Sequence, residues 1–133
     1  MTRATDPHAV AEERMFTQAE FDRFGSLSGD RNPIHVDPEF AAETPFGATV
    51  AHGMLLFSAL RGLVARTWPG ARLQMQALMF PAPTYADEPV VLRVEPLGPE
   101  GPHRWRFATR VEKPDGRLGV DGECVLELPE AGP

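Results

Sequence analysis

The sequence predicts an α+β domain in which a curved antiparallel sheet wraps one long helix. Two observations carry that expectation. Apolar residues crowd a helical pattern from Val50 to Trp68, and from Arg72 onward the period of the pattern drops to two. One apolar helix followed by consecutive half-buried strands hides its surface most simply when the sheet folds around the helix. A chain of 133 residues has the length of one domain, so a single domain over 1–133 is expected, with its core at about 12–128.

The elements follow in order. Met15 and Phe16 supply a short strand. Thr17 with Glu20 three residues later is a capping box, and Phe21, Phe24 and Leu27 follow at helical spacing, so a helix should occupy Gln18 to Ser28. Pro33 fixes its own φ and pushes Asn32 towards extended geometry, which favours a rigid turn between Gly29 and Asp37. Asp37-Pro38 reads as an N-cap with proline at the first helical position, opening a short helix through Phe40, Ala41 and Ala42. After a loop at Thr44–Thr49, His52-Gly53-Met54 begins the long helix, which runs to Thr67 and stops at Pro69-Gly70. Its apolar band is wide enough to predict burial on most sides.

In the strand region, Leu73, Met75, Ala77 and Met79 alternate with Arg72, Gln74 and Gln76. Val90, Leu92 and Val94 form a second set, and Trp105, Phe107, Thr109 and Val111 a third, interleaved with Arg104, Arg106 and Arg110. A fourth set, Leu118, Val120, Cys124, Leu126 and Leu128, follows Lys113-Pro114-Asp115-Gly116, whose Asp-Gly pair suits a tight hairpin. The Pro/Gly-rich stretches Pro96–Pro102 and Glu130–Pro133 read as a loop and a tail. Such a sheet leaves an edge, and a small chain has little surface with which to cover it, so a homodimer is expected.

Composition excludes several function classes. A formal net charge of −6 opposes general attraction to nucleic acid or anionic membrane. Polar and charged residues interrupt the apolar stretch at His52, Ser58, Arg61, Arg66 and Thr67, short of the ~18 consecutive apolar residues of a membrane span. Cys124 stands alone, which rules out an intrachain disulfide and suits a reducing cytoplasm, with core packing as its role. Met1 to Glu13 is charged and lacks an apolar signal core, so a cytoplasmic location is expected.

Chemistry concentrates between Gly29 and Asp37, which read Gly-Asp-Arg-Asn-Pro-Ile-His-Val-Asp. Asp30 and His35 bracket the bend at Pro33, and a bend brings the two side chains together. A carboxylate beside an imidazole can activate a water and share acid and base tasks near neutral pH. Taken alone, the same residues also read as a capped turn without chemistry.

The stretch from Phe24 to Ala41, Phe-Gly-Ser-Leu-Ser-Gly-Asp-Arg-Asn-Pro-Ile-His-Val-Asp-Pro-Glu-Phe-Ala, closely resembles the signature of MaoC-like dehydratases, which include the (R)-specific enoyl-CoA hydratases. His52-Gly53-Met54-Leu55 is similar to the segment that opens the central helix in that family, and the helix-then-strands order matches its hotdog fold. The resemblance spans roughly Thr17 to Leu128. It implies that Asp30 and His35 hold one water that adds to a trans-2-enoyl thioester, giving the (R)-3-hydroxyacyl thioester, or is lost in reverse. Asp30 is the preferred base and His35 the preferred proton donor, although a coupled pair permits either order. Gly53 resembles the position whose backbone N–H meets the thioester oxygen; a helix N-terminus and the lack of a side chain suit it to that contact. Asn32 and His52 are expected in supporting roles, Asn32 tying the turn and His52 hydrogen-bonding at the helix start. The implied partner is an acyl-CoA or an acyl-carrier-protein thioester, with no cofactor and no metal.

Three rival readings differ in class. A hotdog thioesterase commonly carries a catalytic carboxylate on its central helix, yet no acidic residue occurs between Val50 and Gly70. A non-catalytic acyl-thioester-binding subunit has no need of both Asp30 and His35. A metal site from Asp30, His35, Asp37 and His52 lacks a recognised ligand spacing, and Asp37 is accounted for as a cap. Arg61, Arg66, Arg72, Arg104 and Arg106 read as solvated faces before they read as phosphate ligands.

Overall fold

The computed structural model describes residues 6–129. The tail at Glu130–Pro133 and the first five residues of the amino-terminal segment lie outside the described residues. Strand β1 (Val10–Arg14) is followed by helices α1 (Gln18–Ser28), α2 (Pro33–Val36), α3 (Pro38–Ala42) and α4 (Gly53–Thr67). Strands β2 (Arg72–Met79), β3 (Val90–Gly101), β4 (Arg104–Glu112) and β5 (Leu118–Glu127) complete the chain. They form one five-stranded antiparallel sheet in the order β1-β3-β4-β5-β2.

Helix α4 packs against β3, β4 and β5. The core lies between them: Leu56, Leu60, Leu63 and Val64 of the helix meet Leu92, Phe107, Val120 and Leu126 of the sheet, with Phe16 and Phe21 closing one end. Cys124 belongs to this core, where burial pushes its thiol up to about 11. Helix α4 is buried or half-buried along most of its length, as its wide apolar band predicted. Its buried residues are Leu56, Leu60, Leu63 and Val64, and Met54 is 51% exposed.

Thr17 makes the expected capping box with Glu20, and Asp37 caps α3 by accepting from the Phe40 N–H at 3.2 Å. Three strand expectations are corrected. The first strand is Val10–Arg14, while Met15 and Phe16 follow it and Phe16 enters the core. Pro96–Gly101 continues β3 instead of forming a loop. Strand β1 pairs only with Val90–Val94, so the outer edge beyond is free of ladder partners and accepts prolines, with two bulges. In β2 a bulge between Leu73 and Met75 reverses the faces: Leu73, Gln76 and Leu78 are half-buried, whereas Met75, Ala77 and Met79 are exposed.

Several outward arginines of the sheet are paired. Arg106 meets Glu100 and Glu123, Arg104 meets Glu127, and Arg93 meets Glu112. On α4, Arg66 meets Glu12.

Residues 80–89, between β2 and β3, are fastened from below. The fully buried Lys113 ammonium binds both carboxylate oxygens of Glu88, at 2.9 and 3.0 Å, and donates to the Pro83 carbonyl. Removing one partner of a buried pair strands the other. Lys113→Met is therefore expected to lower the unfolding free energy by about 3 kcal/mol, read from denaturant midpoints.

Candidate active site

Helix α1 delivers the carboxylate. It ends at Gly29, which turns the chain with φ of 81° while its N–H bonds back to Gly25, and the Asp30 N–H is then taken by Ser28 Oγ at 3.1 Å. Asn32 ties the next step as expected: its side chain accepts from the Ile34 N–H at 3.2 Å. The structure corrects the turn itself. Asn32 caps a single helical turn, α2, with Pro33 at its start, and His35 projects from that turn.

The two groups converge. His35 Nε2 stands 3.9 Å from Asp30 Oδ2. On the other side of the ring, Nδ1 donates to the Val50 carbonyl at 2.7 Å, which leaves Nε2 open towards Asp30. Val50 is held in turn by its own N–H to Ile34 and by a bridge to Tyr85. A water at about 2.8 Å from both atoms fits this gap; donating to the Asp30 carboxylate and accepting from Nε2, it keeps an oxygen lone pair for an electrophile.

His52 supports the pair. Its Nε2 donates to the Asp30 carbonyl at 2.9 Å, its ring stacks on His35 at 3.9 Å with 23° between planes, and Phe24 meets it edge-on at 4.9 Å. Burial, the largest influence, lowers its pKa, and the neighbouring His35 pushes the same way. The His52 ring thus holds the Asp30 backbone, and burial favours its neutral form.

Asp30, His52 and Gly53 open on one cleft of about 580 Å³, with Phe46, Met54 and Phe80 among its apolar walls. His35 is not part of that wall. With 11% of its side chain exposed against 57% for Asp30, it lies behind the wall and faces Asp30. Gly53 is the first residue of α4, so its N–H lies outside the helix's own ladder. The space a Cβ would need at Gly53 is occupied: it would stand 2.7 Å from the tip of the Phe80 ring.

Asp30, His35 and His52 each offer an atom within 4.8 Å of the others, which raises the question of a metal. Asp37, capping α3, is not among them. The geometry disfavours an ion. The lone pairs of two imidazoles stacked 23° from parallel run alongside one another and do not meet at a point ~2 Å from each.

The family model described as MaoC like domain matches residues 2–114. The chain belongs to that family. The (R)-specific enoyl-CoA hydratase of Aeromonas caviae is 38% identical over 120 residues, which cover 87% of this chain and 89% of that protein. A 3-hydroxybutyryl-CoA dehydratase of Methylorubrum extorquens is 39% identical over 112 residues, 80% of this chain and 69% of that one. Among solved structures, the (R)-hydratase from A. caviae involved in PHA biosynthesis superposes with a TM-score of 0.88 at 33% identity, covering 96% of this chain and 100% of that chain. The MaoC-like chain has the hotdog fold, as its α+β order predicted.

Sequence reasoning missed the cleft walls in this MaoC-like domain. Phe80 and Thr84 lie beyond the recognised segments and reach the site only through the tertiary fold. The run Phe80-Pro81-Ala82-Pro83 carried a signal, an aromatic residue beside a stiff non-helical stretch, that could have marked a wall.

Proposed function

We propose that this MaoC-like protein reversibly hydrates trans-2-enoyl thioesters to (R)-3-hydroxyacyl thioesters. One observation carries the reading: the Asp30 carboxylate faces the open Nε2 of His35 at 3.9 Å, beside the N-terminus of α4 in an apolar cleft. The water oxygen bonds to C3 as the C2–C3 π pair shifts towards the thioester oxygen. Asp30 accepts the water proton, and His35, which starts the cycle with a proton on Nε2 as well as on Nδ1, delivers the Nε2 proton to C2 from its only open nitrogen. A proton crossing from Asp30 to His35 resets the pair. The Gly53 N–H, at the positive end of α4, stabilises the enolate oxygen. Asn32 and His52 hold the reacting groups in place. Addition of water changes no oxidation state overall and calls for no cofactor.

The carrier in this reading is coenzyme A or acyl carrier protein, and the location is the cytoplasm. No helix among the described residues is long and apolar enough to cross a membrane. The named relatives, described as an (R)-specific hydratase and a CoA-thioester dehydratase, support both the bond attacked and the stereochemistry. The test is hydration of crotonyl-CoA and longer trans-2-enoyl-CoA esters, followed by chiral analysis of the product. An (S) product, or no turnover across the series, overturns the reading.

The assembly proposed is a homodimer with the site near its interface. Strand β2 is an edge of the sheet, and Met75, Met79 and Phe80 lie exposed along it and just beyond it. Sedimentation at micromolar concentration is expected to give twice the 14.6 kDa chain mass. A monomer that keeps full activity on dilution refutes this arrangement.

A further inference from the structure

Phe80 is a large apolar side chain in an uneconomical place for stability alone. It is 46% exposed, directly follows the edge strand β2, and contributes no part of the buried core. Its ring turns inward over Gly53, so that a Cβ at residue 53 would stand 2.7 Å from both Cε1 and Cζ and 3.1 Å from Cε2. Carbon atoms do not approach so closely. The missing side chain of Gly53 therefore makes room for this ring, and the ring is set beside the residue that opens α4 at the cleft.

We propose that Phe80 is a positioning residue: its ring packs on the acyl thioester as the substrate settles against Gly53, and keeps water from the enolate oxygen. The inference rests on the reading of Gly53 as the amide donor. Two physical effects favour it. A half-exposed aromatic ring gains from being covered, and a ligand bound in the cleft covers its inward face. A hydrogen bond to a developing oxyanion strengthens when competing water is excluded. Phe46 and Met54, 40% and 51% exposed, extend the same apolar rim and give the ring a surface to work with.

The experiment compares Phe80→Ala and Phe80→Leu with the wild-type chain in crotonyl-CoA hydration, thermal melting and sedimentation. Phe80→Ala is expected to lower kcat about tenfold with melting and sedimentation unchanged, while Phe80→Leu keeps most of the rate. Gly53→Ala is expected to cost more in the wild-type background than in Phe80→Ala, because the added methyl collides with the ring only when the ring is present. An active wild type whose Phe80→Ala variant keeps its kcat overturns this proposal alone. So does a loss of rate restored by raising the protein concentration, which makes Phe80 an interface side chain. A wild type that hydrates no enoyl thioester overturns the reading of the site and this inference with it.

Discussion

Asp30→Asn and His35→Ala are each expected to lower hydration turnover by ~10²-fold or more while the fold is retained. Asp30 is exposed and its carboxylate carries little of the structure: besides facing His35 it accepts only the Asn32 N–H, at 3.3 Å, a contact that an asparagine oxygen reproduces. His35 is more embedded, stacked on His52 and bonded to Val50, so its variant needs a melting curve beside the kinetics. If both groups hold one water, the double variant costs much less than the product of the single losses, since the second substitution removes a partner already useless. Full additivity points to separate tasks, and a near-wild-type rate in either folded variant removes that residue from the mechanism.

Gly53→Val is expected to reduce kcat by ~10²–10³-fold, the range for loss of one oxyanion-hole donor. The amide survives the substitution, so the loss arises from obstruction. A branched side chain enters the space now held by the Phe80 ring and drives the ring or the substrate aside. Phe80 is half-exposed and can swing outward, which keeps the cost to stability small relative to the cost to turnover. Circular dichroism checks that α4 forms. A folded variant with unchanged kcat and KM places the donor elsewhere.

Local patterns in the sequence were read correctly where local forces decide the structure. The capping box at Thr17, the Asp37 cap, the end of α4 near Pro69-Gly70 and the alternation of β4 all depend on residues within a few positions of one another. The strand β2 was misread because a single bulged residue exchanges its two faces, and no side-chain pattern announces it. Pro96–Gly101 was misread because proline forbids a central strand but not a free edge, and edge status follows from how short β1 is. At the site, the short sequence separation of Asp30 and His35 made their pairing legible. The stacking of His52 on His35 and the walls from Phe80 to Thr84 were not, since residues 17 or more positions apart meet there only through tertiary contacts.

The bridge between Val50 and Tyr85 bears on how the protein acquires its chemistry during folding. The neighbouring pairs β3–β4 and β4–β5 are short-range hairpins, quick to form because little chain entropy opposes their closure. The Val50–Tyr85 bridge and the Ala51 N–H to Thr84 bond instead span more than thirty residues, with α4 and β2 between. The Val50 carbonyl that fixes the tautomer of His35 is presented by this closure. Until it forms, the proton of a neutral His35 can sit on either nitrogen, and an intermediate with its hairpins in place has an imidazole without a defined acid-base face. Refolding monitored by turnover reports the arrival of this one distant contact, whereas refolding monitored by strand content reports the hairpins that precede it.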